Sequence, residues 1–137
     1  MKTESNAPAD TRMMGIVHSA LRRDLTRTTT ALTAQHAPAG AQRTALAAHL
    51  AWMMDFLHGH HEGEDAGLWP MVRSLNPAAA DLLDQMENDH AKIAPLIDEL
   101  RVAADHYAND GESPTREGLV AAVASLRVVL SAAWNVP

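Results

Sequence analysis

The chain has 137 residues, 47% of them apolar, with seven glycines and seven prolines, which is enough for one compact domain with a single core and too little for two. A formal charge of −6, from 17 acidic and 11 basic residues with Arg22-Arg23 the only adjacent basic pair, excludes a broad electropositive surface, so no nucleic-acid partner is expected. The absence of cysteine excludes disulfides, zinc-thiolate sites, iron-sulfur clusters and cysteine nucleophiles; with no signal peptide and no apolar run of about 18 residues, a cytoplasmic protein with no membrane span is expected.

Residues 1–9 are polar, aperiodic and contain Pro8, and read as a loosely ordered leader before a bundle spanning 10–137. Asp10 or Thr11 can cap a first helix, in which Met14, His18, Leu21, Leu25, Thr28 and Leu32 share one face. Pro38 and Gly40 break the chain. A second helix begins near Ala41, and its seam reads Leu46, Leu50, Met53, Leu57, His60, Glu64 and Leu68, ending as Pro70 approaches. Gly59, Gly63 and Gly67 recur four apart, which fits either close approach by a neighbour or a frayed last turn. A third helix carries Leu83, Met86, His90, Ile93, Ile97, Leu100, Ala104 and Tyr107, and Pro95 inside it predicts a kink just after His90. After the loop at 108–114, Ser113-Pro114 starts a fourth helix with its seam at Leu119, Val123, Leu126, Leu130 and Ala133. Each stripe can be buried only against the others, so the predicted fold is all-α, an up-down-up-down four-helix bundle.

Eight histidines are present, four of them within residues 49–61. His18, His60, Glu64 and His90 interrupt apolar seams on three helices, where a side chain without a partner costs roughly 1–3 kcal/mol. His60 and Glu64 are four residues apart, so both point the same way, and an imidazole nitrogen and a carboxylate oxygen can reach a common ion or ion pair. Imidazole and carboxylate without thiolate suit iron, manganese or zinc. A lone seam histidine is commonly a core residue bonded to a backbone carbonyl; three of them with a carboxylate in one small domain favour a metal site instead. His49, His58 and His61 fall off this seam and are expected in solvent or in supporting roles; Glu62 and Asp65 are expected to face solvent, although either can swing in as a terminal ligand or an orienting partner.

The stretch Phe56-Leu-His-Gly-His60-His61-Glu-Gly-Glu64-Asp65-Ala-Gly-Leu68-Trp69-Pro70 resembles the second-helix signature of hemerythrin-like (HHE cation-binding) proteins, a His-His-x-x-Glu-Asp-x-x-Leu-aromatic-Pro pattern. His18 to Leu25 resembles that family's first-helix motif and Glu87-Asn-Asp-His90 its third, and the similarity covers roughly residues 11–132. The resemblance implies a bundle around non-haem iron, with His18, His60, Glu64 and His90 as ligands and Glu64 bridging a di-iron centre. It also implies dioxygen, or a similar small ligand such as nitric oxide or peroxide, as the partner. Binding or sensing is expected rather than turnover.

Bacterial members of that family supply a second His-x-x-x-Glu pair from the fourth helix, and alignment through Leu126, Arg127 and Leu130 places it at Ala133 and Pro137. The second third-helix histidine of the invertebrate oxygen carriers falls on Ala94. Three arrangements follow: a single or weakly paired metal, a site completed by a second copy in a homo-oligomer, or a metal-free helical module that associates through its fourth helix.

Overall fold

A computed structural model describes residues 12–134, with side chains from 15 to 133; the leader, the proposed cap at Asp10 or Thr11, the Met14 side chain and Pro137 lie outside these. Five α-helices make four rods: α1 (Arg12–Leu32), α2 (Ala41–Gly63) continued through a π turn (Glu64–Leu68) into α3 (Trp69–Leu75), then α4 (Ala80–Asn109) and α5 (Ser113–Trp134). Each rod buries the stripe that its 3.6-residue period lines up. Leu21, Leu25 and Leu32 of α1 meet Leu50, Met53 and Leu57 of α2, Ile97, Leu100 and Tyr107 of α4, and Leu119, Leu126 and Leu130 of α5 in one core. α4 packs against both α2 and α5, and α5 against α1. The all-α four-helix bundle is the observed architecture. Among the described residues, no helix is long and apolar enough to cross a membrane.

The threonines that close α1 are poor interior helix formers, yet Thr26, Thr29, Thr30 and Thr33 each donate a hydroxyl hydrogen bond to the carbonyl four residues back, which satisfies the hydroxyl and slightly weakens the helix end. Gly40, at φ 56°, supplies the left-handed residue from which α2 starts. α4 continues through Pro95; the ring projects from an exposed position of the helix.

The second rod departs from expectation. It does not end near Pro70 but runs to Leu75, with the proline in the first turn of α3, where a missing N–H is harmless. The π turn adds one residue: the Trp69 N–H bonds to the Glu64 carbonyl, five residues back. The buried step is therefore from Glu64 to Trp69 (5% exposed), and Leu68, assigned to the seam by the alternation of fours and threes, is 40% exposed. A Cβ at Gly59, Gly63 or Gly67 would meet nothing within 4 Å. The glycines thus mark neither close approach nor fraying. Arg73 ties α3 to α4, its two terminal nitrogens reaching Asp84 Oδ1 at 2.9 Å and Glu87 Oε1 at 3.2 Å.

Candidate metal centre

Antiparallel rods bring the start of α1, the end of α2, the early part of α4 and the end of α5 to one end of the bundle. His18, His60, His61, Glu64, His90 and Ala133 sit on those segments. The apolar core stops at this level and polar side chains take over.

Glu64 is the hinge of the arrangement. It is buried at the first position of the π turn, and its Oε1 lies 3.3 Å from His60 Nε2 and 3.6 Å from His90 Nε2. On its far side the His90 ring is held by Asp65, whose Oδ1 is 2.8 Å from Nδ1. That contact orients the His90 ring so that its Nε2 faces Glu64. His61 stacks on His90 with centroids 3.9 Å apart and planes 12° from parallel. His61, Glu64 and His90 offer ligand atoms that all lie within 4.8 Å of one another. His18, on α1, meets the edge of the His60 ring at a centroid distance of 6.1 Å.

The electrostatics favour lone pairs over protons. Burial, reinforced by His90 and His60, holds His61 down at about 3, and burial, with His60, Arg22 and His90, holds His18 at about 4. Burial pushes Glu64 upward, opposed by His60 and His90. Two buried nitrogens, His60 Nε2 and His61 Nε2, make no hydrogen bond; the 3.3 Å approach of His60 to Glu64 is close enough for electrostatic attraction but misaligned for a hydrogen bond. Imidazole nitrogens around a buried carboxylate fit a borderline or hard cation, and His61, Glu64 and His90 are close enough to share one.

A cavity of about 40 Å³ adjoins these groups, walled by His18, Glu64, Met86, Asp89, His90, Ile93 and Ala133. That is room for about two or three water-sized molecules. Behind the His61–His90 stack an open groove of about 430 Å³ runs past Asp65 and Ala94. A larger groove of about 600 Å³ between α4 and α5, around Val102 and His106, contains none of the clustered residues.

Of the four residues singled out by sequence, His60, Glu64 and His90 lie within 3.6 Å of a shared carboxylate oxygen or contribute it, and His18 stands beside them across the α1–α2 boundary. His49 and His58 face outward, paired with Asp24 and Glu62. His61 corrects the seam assignment. At 5% exposure it is buried, because Leu50, Met54, Leu57, His61 and Glu64 also alternate in steps of four and three and form a second buried phase beside the one through Met53 and His60. Asp65 is the orienting partner of His90, one of the two roles open to it. Ala133 lines the cavity, as its seam position implies.

The Hemerythrin HHE cation-binding domain model matches residues 10–131. No curated protein and no solved structure matches the chain. With its bundle, its buried histidine and carboxylate cluster and a match over nearly its whole length, the chain belongs to the Hemerythrin HHE cation-binding domain family.

Proposed function

We propose that the protein holds non-haem iron at this end of the bundle, through His18, His60, Glu64 and His90 with His61 as a further donor, and binds or senses dioxygen or a ligand of similar size. The observation that carries the reading is the buried Glu64 oxygen flanked by two imidazole Nε2 atoms at 3.3 and 3.6 Å. Bound iron supplies the redox-active centre with an open position that such a ligand requires. The chain's own contribution includes imidazoles already neutral near pH 7, as burial keeps His18 and His61 uncharged, so these two release no imidazolium proton when a cation binds. Met86 and Ile93 keep the cavity wall apolar. Iron content after reconstitution tests the proposal: iron stoichiometric with chain, with visible absorption after exposure to air, is expected, and protein that retains only traces refutes it.

Asp65 gives a second check. Asp65→Ala frees the His90 ring without removing a proposed ligand, and is expected to weaken iron retention by about 10–100-fold in a chelator competition.

A metal-free helical module is the second reading, and Ala133 favours it, because a methyl group stands in the cavity wall where a donor would serve a second metal. Ala133→His separates the two. If the site binds iron with too few ligands, an imidazole there is expected to tighten binding by about tenfold, roughly 1.4 kcal/mol; an unaltered trace content favours the module.

A further inference from the structure

α2 carries four rings in a continuous stack that leads from its surface to the candidate site. His49 lies on Trp52 with centroids 6.2 Å apart and planes 19° from parallel, Trp52 on Phe56 at 5.7 Å and 20°, and Phe56 on His60 at 6.2 Å and 11°. Steps of three and four residues put them on one side of the helix. Trp52 is 61% exposed and Phe56 41%, so this stack is not built into the core, yet its inner end is His60, 3.3 Å from Glu64.

We propose that this stack is an electron route from Trp52 to the site, used when peroxide meets ferrous iron there; it rests on the iron reading above. Peroxide needs two electrons and two protons to become two waters, and bound ferrous iron would supply one of the electrons. The second comes from Trp52, which also gives up its Nε1 proton; solvent supplies the other proton, the O–O bond breaks, and a neutral indolyl radical is left at the surface. A thiol in solution then returns a hydrogen atom to it, and the thiyl radicals left behind couple in pairs to a disulfide. The alternative source of that second electron is the imidazoles around the metal, whose oxidation would destroy the site.

The identity of the rings supports this direction. Indole is far easier to oxidise than benzene or imidazole, so Phe56 and His60 bridge the gap and Trp52 is the stopping point. Trp69 is also within reach, stacked on His90 at 6.5 Å and 26°. Its Nε1 is buried with no hydrogen-bond acceptor, so an oxidised ring there has nowhere to send its proton. Trp52 can release its proton to water.

The test uses the full chain loaded with ferrous iron without air, its iron content measured, then mixed with an equimolar pulse of hydrogen peroxide in the presence of a hydroxyl-radical scavenger. Zinc-loaded protein is the redox-inert control. Freeze-quenched electron paramagnetic resonance is expected to give an indolyl radical, and peptide mass mapping to place oxidation on Trp52 and not Trp69. In Trp52→Phe the radical is lost and oxidation moves to His60 and His61; Phe56→Leu, which keeps bulk but opens the stack, diminishes the signal. Iron-loaded protein with no radical, with oxidation on Trp69, or with Trp52 oxidised equally in the zinc form overturns the route alone. Protein that takes up no iron overturns the iron reading and the route with it.

Discussion

Glu64→Ala is expected to lose its iron and keep its fold. Among the described residues this carboxylate is the anionic group that both His60 and His90 approach, and its removal would take away the charge that offsets a dication. Iron content after reconstitution should fall to background. In the metal-free protein the sign reverses. The carboxyl is buried and burial pushes its pKa up, so wild type bears a desolvation cost that alanine removes. His61 and His18 in the same cluster are held neutral by burial, so these two leave no buried charge uncompensated when the carboxylate is removed. The metal-free variant should melt at the wild-type temperature or higher, by up to about 1 kcal/mol or roughly 3–6 °C. Iron retained by the variant removes Glu64 from the ligand set; collapse of its helical signal would mean that the carboxylate is structural.

Acidification of the metal-free protein should cost it most of the stability invested in those neutral imidazoles. In the unfolded chain His18 and His61 take up protons as the pH falls through 6.5, whereas in the folded chain they resist to about 4 and about 3. The unfolded state therefore binds more protons throughout that interval, so stability is full above pH 6.5 and declines as the pH drops towards 4. Discounted for the half-buried His18, the loss is on the order of a few kcal/mol. Glu64 works in the opposite sense. Its raised pKa lets the folded state protonate first, which offsets part of the decline. Thermal melts followed by circular dichroism from about pH 7.5 to pH 4 read the balance; a flat profile in wild type contradicts the assignment, and His61→Phe should flatten the wild-type slope.

The seams of α1, α4 and α5 were legible because burial in a bundle imposes one period and nothing interrupts it. Leu21, Leu25, Thr28 and Leu32 are buried as the spacing predicts, as are Leu119, Val123, Leu126 and Leu130. His61 was missed for a geometrical reason. An apolar stripe is wide enough to hold two neighbouring phases, and choosing the one through Met53 and His60 hid the one through Met54 and His61. Asp65 could be given an orienting role but not its partner, since the 25-residue separation of His90 and Asp65 follows from rod packing and not from local pattern. The second rod's continuation past Pro70 was hidden because a proline ordinarily ends a helix, and the π turn displaced Leu68, as no run of threes and fours contains a five.

That five-residue step governs more than the burial of Trp69. One residue advances a helix by roughly 100°, so closing the turn to ordinary α geometry would swing all of α3 around its own axis. The indole would leave its place beside His90, and the guanidinium of Arg73 would turn away from Asp84 and Glu87. A single inserted position thus acts as a spacer that aims the rod's last two turns at α4, and the ring that Asp65 steadies inherits its surroundings from that aim.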